Sequence, residues 1–299
     1  MASSESWLVT GAGGCIGAWV AAVLLREGAR VAAFDKSPDA YRRELIATRE
    51  ELEPLKVVQG DVTDLEAMKR TLADEEITHV VHLAALQAPF CRADPPLGAH
   101  VNVTGTVTVL EACKEHGLTT PIAYASSAAV YDEHGAIAPK TIYGVYKVAD
   151  EGAARIYFQE SGLATIGLRP NVVYGPGRDQ GMTAGPTLAL AAAVKGEPYK
   201  IAYGGRTQLQ YAPDVARAFV AAARGVPEGP AVYNLGGSEV SMAEVVEAIG
   251  SVVPGAEVTF DDVQLPFPPS LPRPWFELDE TPLEQGVRET VEVFRRAAG

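Results

Sequence analysis

Cysteine is scarce in this sequence and does not pair: Cys15, Cys91 and Cys113 are odd in number and far apart. Neither a disulfide framework nor a zinc site can be built from such spacing, so no metal is expected and a reducing cytoplasm is the simplest setting. Positive charge is in deficit as well. The 25 lysines and arginines face 38 acids, for a formal charge of -13, and the basic residues occur singly or in pairs such as Arg42-Arg43. Without a basic stripe, nucleic acid is not an expected partner. Long apolar runs are missing too: no window is long enough to span a bilayer, and residues 1–6 have neither the basic stretch nor the apolar core of a signal peptide. No membrane partner and no export are expected.

What the chain does have is apolar content, 47% of 299 residues, enough for one large domain or a large one and a small one. In the first half, short apolar runs at 8–9, 31–34, 57–58, 80–83 and 122–125 alternate with longer amphipathic stretches, and a sixth run follows at 165–168. That alternation predicts an α/β fold, a doubly wound parallel sheet covered by helices on both faces. Beyond Gly175-Pro176 the pattern becomes irregular and richer in glycine and proline. The expected organisation is a dinucleotide-binding domain over 1–170 and a smaller, mainly substrate-binding lobe over 171–299, some of whose segments return to the first. Ser241 and Glu244 are spaced as a capping box, and Thr281-Pro282-Leu283-Glu284 repeats the signal before a terminal helix. Residues 266–274 are proline-dense and read as an extended surface connection.

Residues 7–10 run into Gly11-Ala12-Gly13-Gly14-Cys15-Ile16-Gly17 and then a helical pattern, the context a dinucleotide loop requires. Gly11 permits the tight turn, Gly14 lets the backbone with Cys15 and Ile16 approach a pyrophosphate, and Gly17 lets helix and sheet pack closely. Asp35 closes the second strand about twenty residues on, where a carboxylate accepts from the adenosine ribose and repels a 2′-phosphate. NAD is therefore the expected cofactor. Lys36 sits beside this contact, and it and Arg42-Arg43 leave tolerance of NADP open.

Tyr143 and Lys147 lie four residues apart, one helical turn, which brings both side chains to one face. A tyrosine with an ordinary pKa of roughly 10 is a poor base, but a neighbouring ammonium and a positive nicotinamide stabilise its phenolate. Tyr143 can then exchange a proton with a substrate hydroxyl, with Lys147 also holding the nicotinamide ribose. Tyr146 competes for the same role. Ser127 closes the fifth strand, where the C-terminal edge of a parallel sheet meets ligand, and its hydroxyl can orient the reacting oxygen.

With these residues in view, the chain resembles the extended short-chain dehydrogenase/reductases, the NAD-dependent epimerase/dehydratase group typified by UDP-galactose 4-epimerase. Further matching segments are 60–62 (GDV), 82–85 (HLAA), 102–106 (NVTGT), 125–131 (ASSAAVY), 168–170 (LRP), 173–176 (VYGP) and 281–290 (TPLEQGVRET). The resemblance implies that Asp61 and Val62 flank the adenine, that Leu83, Ala84 and Ala85 line the middle of the cofactor, and that Asn102 and Pro170 also touch it. It places substrate contacts at Ser127, Asn171, Arg178 and Gln180, and implies a homodimer built on helices at 101–116 and 145–161. Departures from the family pattern narrow the substrate. Ala128-Ala129 stand where 4,6-dehydratases carry an acidic pair, so that elimination is not expected. Val172 stands where an asparagine contacts the diphosphate of sugar nucleotides, and Asn171 lies one residue earlier. Thr207-Gln208 replace an Arg-Asp pair, with Arg206 one position out of register. A buried pyrophosphate without cationic partners is costly to desolvate, which favours a smaller or less anionic substrate. The leading expectation is an NAD-dependent dehydrogenase or reductase acting on a carbohydrate-like alcohol. The alternatives are a sugar-nucleotide 4-epimerase with tightly bound NAD and, from a different class, a non-catalytic dinucleotide sensor.

Overall fold

The computed structural model describes residues 5–225, 229–277 and 279–298. Their strands, in chain order, are β1 Ser6–Thr10, β2 Arg30–Asp35, β3 Lys56–Gln59, β4 His79–His82, β5 Ile122–Ala125, β6 Thr165–Arg169, β7 Val172–Tyr174, β8 Tyr199–Ile201, β9 Arg206–Tyr211, β10 Pro230–Leu235, β11 Glu239–Ser241, β12 Val258–Phe260 and β13 Trp275–Phe276. The main sheet runs β3-β2-β1-β4-β5-β6-β10-β13, and every neighbouring pair in it is parallel. The order reverses at β1, and the crevice beyond the carboxyl ends of β1 and β4 is where such sheets bind ligand.

The period of two in the strands sorts the core. Trp7 and Val9 of β1 pack on one face against helices Cys15–Arg26 and Ala212–Ala223, joined there by Val20, Leu24 and Phe219. Leu8, between them in sequence, packs on the other face with Met68, Leu110 and Ala154 from helices Leu65–Asp74, Gly105–His116 and Ile142–Ser161. Alternate side chains thus build two cores, the reason the strands read as continuous apolar runs. A third cluster, with Tyr174, Leu209, Ile249 and Val291, underlies β7, β9 and the helices Met242–Val252 and Leu283–Ala298. β10, β13 and helix Ala212–Ala223 are drawn from the second half of the chain yet belong to the first layer.

The Ser241–Glu244 capping box forms as the spacing implies. Thr281 instead gives its hydroxyl and amide to the buried carboxylate of Asp214. Residues 266–274 are not a simple surface connection. The Leu271 amide donates to Gln208 Oε1 at 2.9 Å, and Asn234 Nδ2 donates to the Pro272 carbonyl. Two buried side-chain amides recruit the backbone of this segment and bring Pro266 and Phe267 to the rim of the cleft.

One polar group inside the sheet makes a measurable prediction. His82 is buried, with Nδ1 2.7 Å from Thr10 Oγ1 and Nε2 3.1 Å from Thr106 Oγ1. Burial, assisted by the nearby Lys147 charge, pushes its pKa from 6.5 down to about 3. Unfolded chains therefore bind the proton that the folded protein refuses, and stability should fall as pH drops from 6.5 toward 3. Urea unfolding across that range measures the slope, and His82→Gln, neutral throughout, should flatten it.

Candidate active site

β1 delivers its chain into the turn at Gly11, which has φ +69° and lies so close to the next strand that a Cβ would sit 2.7 Å from the Ala84 amide nitrogen. At Gly17 a Cβ would collide with the Gly11 carbonyl oxygen. Helix Cys15–Arg26 starts at Gly14 without any side-chain cap, so its first amides stay available at the positive end of the helix dipole, a built-in anion site. Gly11, Gly14, Cys15, Ile16 and Gly17 all line one cleft at the sheet edge, with Leu83 and Ala85 across from them. Ala84 contributes its backbone to the packing against Gly11.

Asp35 stands at the end of β2 and accepts the Gly13 amide at 2.8 Å and the Ser37 amide at 3.0 Å. These bonds aim the carboxylate at the glycine loop, and each oxygen keeps a lone pair for a ribose diol. The cations left open by the sequence are committed elsewhere. Lys36 pairs with Asp61 at 2.9 Å. Arg42 donates to the Gly13 carbonyl at 2.9 Å, the Gly177 carbonyl at 3.1 Å and Asp179 at 2.6 Å, and Arg43, though its Nη1 has no hydrogen-bond partner, is buried out of reach of solvent. Burial opposes the charge on Asp61, but the Thr63 amide and hydroxyl and Lys36 outweigh it and hold its pKa near about 2. NAD should thus exceed NADP in kcat/KM, and Asp35→Ser should erode that preference by about tenfold or more, the worth of one charge-assisted hydrogen bond. Paired initial-rate assays with the two cofactors decide it.

Helix Ile142–Ser161 is capped by Thr141, whose hydroxyl accepts the Gly144 amide at 3.0 Å. Gly144 is the residue that seats the helix. A Cβ there would collide with the Ala129 carbonyl oxygen, so only glycine lets the first turn, and Tyr143 with it, close on the Ser127 turn. A glycine inside a helix costs about 1 kcal/mol relative to alanine, and that cost was the available sign of a close approach. Ser127 itself accepts the Ala129 amide at 3.1 Å. Beneath it, Ser126 Oγ donates to Glu151 Oε1 at 2.5 Å, and Arg169 grips the same carboxylate at 2.7 and 2.6 Å. This half-buried fork ties the ends of β5 and β6 to the helix.

Tyr143, Lys147 and Ser127 meet in the same cleft as the glycine loop, joined by Pro170, Asn171 and Arg178. Lys147 is only 3% exposed, with its Nζ 5.8 Å from the centre of the Tyr143 ring and 3.2 Å from Asp150 Oδ2. Burial works against its charge, but Asp150 and then Tyr143 prevail and hold the ammonium above its ordinary pKa. Tyr146 is removed from contention, because its hydroxyl donates to the Pro95 carbonyl at 2.7 Å and its ring is buried away from the cleft. Arg178 donates to Thr183 Oγ1 at 3.1 Å, while its Nε and the Gln87 Oε1 are buried without a hydrogen-bond partner. Both residues line the cleft, so both offer a ligand unspent hydrogen-bonding capacity.

Other residues expected to contact ligand stand elsewhere. Asn102 is fully buried, and its side chain accepts the Leu86 amide at 2.7 Å and donates to the Leu86 carbonyl at 3.0 Å. It shapes the loop after β4 from beneath, and has no free group to offer a cofactor. Val62 is core packing against Gly105. Asp61 and Lys36 lie beyond the cleft toward β3, and Gln180 is exposed at its outer edge. Thr207 and Gln208 are buried, Gln208 donating to the Gly237 carbonyl at 3.1 Å, and Arg206 is turned outward to Glu239 at 2.6 Å. β9 thus holds no cation toward the cleft. Among the described residues there is no cluster fit for a metal ion and no helix long and apolar enough to cross a membrane.

Comparison with known proteins matches residues 7–236 to the model of the NAD dependent epimerase/dehydratase family. A UDP-glucuronate 4-epimerase of Thermodesulfobacterium geofontis is 30% identical over 269 residues, covering 83% of this chain and 80% of that protein. UDP-glucuronate 4-epimerase 2 of Arabidopsis thaliana is 35% identical over 57% of this chain, and the match spans only 42% of the plant protein. The crystal structure of Thermus thermophilus UDP-glucose 4-epimerase in complex with NAD superposes with a TM-score of 0.77 at 28% identity, covering 98% of this chain and 100% of that one.

Proposed function

The chain belongs to the NAD dependent epimerase/dehydratase family, an enzyme family whose cofactor is NAD, and from that premise we propose that it catalyses hydride transfer at a hydroxyl-bearing carbon of a sugar-type substrate. The observation that carries the reading is the convergence of Ser127, Tyr143 and Lys147 on the cleft lined by the glycine loop. The uncapped amides at Cys15–Gly17 and the carboxylate of Asp35 fit the pyrophosphate and adenosine ribose of a dinucleotide.

NAD, when bound, supplies the hydride acceptor. Ser127 orients the substrate hydroxyl, and Tyr143 takes its proton as the carbon is oxidised. Lys147 holds positive charge beside the phenol and favours its ionised form. Gly144 and the Glu151–Arg169 fork keep these groups in register. Loss of the proton to Tyr143 and its return from Tyr143 are the same step run in two directions, so one site serves oxidation and reduction.

Two outcomes share this chemistry. The relatives named as 4-epimerases favour return of the hydride to the opposite face of the same carbon, with no net NADH. The unpaired Nε of Arg178 gives the cleft a cation for an acidic group, such as the carboxylate of a uronate. The interior placement of Thr207 and Gln208 favours the second outcome, a dehydrogenase for a substrate without a diphosphate. Incubation with NAD and UDP-glucuronate, UDP-glucose, free uronates and neutral sugars separates them. A new epimer by NMR without NADH absorbance supports epimerisation, accumulating NADH supports dehydrogenation, and neither with any sugar contradicts the proposal.

All three thiols are free, which supports a cytoplasmic location. Val145 and Ile156, 46% and 38% exposed on helix Ile142–Ser161, support pairing of two copies through that helix. Light scattering should give twice the mass of one chain, and a monomer would contradict the pairing.

A further inference from the structure

Three residues beyond Lys147, one turn further along the helix, lies an acid that the mechanism above does not use. Asp150 is fully buried, as is Lys147 nearly so, and its Oδ2 is 3.2 Å from Lys147 Nζ. Its other oxygen, Oδ1, has no hydrogen-bond partner. The Thr106 hydroxyl faces Asp150, but gives its proton to the Asn102 carbonyl at 2.6 Å. A buried ion pair is poor value as a stabilising device, because desolvation of both charges offsets their attraction. The contact of Asp150 with the lysine that faces Tyr143 points to an electrostatic use instead.

We propose that Asp150 is a positioning residue that shares the Lys147 ammonium with Tyr143 and so sets the proton affinity of the catalytic phenol. The inference rests on the reading of Tyr143 as acid and base. Lys147 by itself, beside a positive nicotinamide, favours a negative charge on its neighbours. A tyrosine that must take a proton and give it back works best when its affinity lies near the working pH. The Asp150 carboxylate cancels part of the ammonium's field and keeps the return of the proton within reach.

The remaining groups around the pair do not supply this charge. His82 on β4 is neutral, with its pKa pushed to about 3 by burial. Cys91, on the helix Ala88–Ala93, and Tyr124 on β5 are held protonated by burial. Glu151 is spent on the two-pronged bond to Arg169. Asp150 is thus the anion that acts on Lys147.

The test is the tyrosinate absorbance of the NAD complex followed against pH, for wild type and Asp150→Asn. Each is read as a difference from the same protein carrying Tyr143→Phe, which isolates Tyr143 from the other tyrosines. With the carboxylate gone, Tyr143 should ionise at a lower pH, by on the order of one unit. A role in folding alone would lower the melting temperature and leave this titration in place. Should Asp150→Asn not fold, Asp150→Ser, which leaves room for a water beside Lys147, carries the same expectation. Ionisation at or above the wild-type pH in the variant overturns the proposal. Failure of the wild type to bind NAD would instead overturn the reading of the site on which the proposal stands.

Discussion

Tyr143→Phe should lower kcat by about 10³- to 10⁴-fold, the upper part of the range for loss of a positioned acid/base, while NAD binding stays within a few fold of wild type. The ring remains to pack in the cleft and only the proton carrier is removed. Tyr146→Phe is the matched control. Its hydroxyl is spent on the Pro95 carbonyl, so its loss should cost stability of about 1 kcal/mol and little turnover. The sensor reading makes the opposite forecast, full biological activity in Tyr143→Phe. Comparable losses in the two variants would mean that the catalytic phenol has been misassigned.

Lys147→Met should fail in two separable ways. Turnover should fall by at least about 10²-fold, because the charge that favours the phenolate is gone. Stability should fall by about 3–5 kcal/mol, because Asp150, with its side chain 1% exposed, is left as a buried charge without its partner. That deficit has a pH signature. In the variant Asp150 has a raised folded pKa, so the unfolded chain loses its proton first as pH rises. The deficit is therefore small in acid and grows toward neutrality. Adding Asp150→Asn should restore most of the stability and none of the activity. Chemical denaturation of wild type, both single variants and the double variant closes the cycle, and an Lys147→Met protein as stable as wild type at neutral pH would contradict the buried pair.

The glycine loop, the Tyr143–Lys147 spacing and the strand alternation were legible because each is local. A strand, a tight turn and a helix are encoded within some twenty consecutive residues, and a four-residue spacing fixes a shared helical face. The Ser241 capping box was legible for the same reason. Asn102 was read as a cofactor contact from its place in a motif, but its fate is set by a loop sixteen residues earlier in the chain, where the Leu86 backbone takes both ends of its amide. Arg42 looked like a free cation near the adenosine and proves to bridge Gly13 to Gly177 and Asp179, a contact across 137 residues. Residues 266–274 looked like a connection because proline density reports backbone conformation and says nothing of the buried Gln208 and Asn234 that hold the segment down. Gly144 carried a local sign, a glycine inside a helix, but its cause lies on the Ser127 turn. The candidate substrate contacts are the least legible part, since Asn171 is brought beside Ser127 by the pairing of β5 with β6, and Arg178 by the loop that follows β7.

The central claim is that the Tyr143 hydroxyl lies beside the reacting carbon of a dinucleotide bound on the glycine loop. A crystal structure of the NAD complex tests it most directly. The account predicts the pyrophosphate on the amides of residues 15–17, the adenosine ribose on Asp35, the nicotinamide ribose on Lys147 Nζ, and the nicotinamide ring facing Tyr143 and Ser127 with room between for a substrate carbon. A dinucleotide seated away from the glycine loop, or a Tyr143 hydroxyl turned from the nicotinamide, would contradict it.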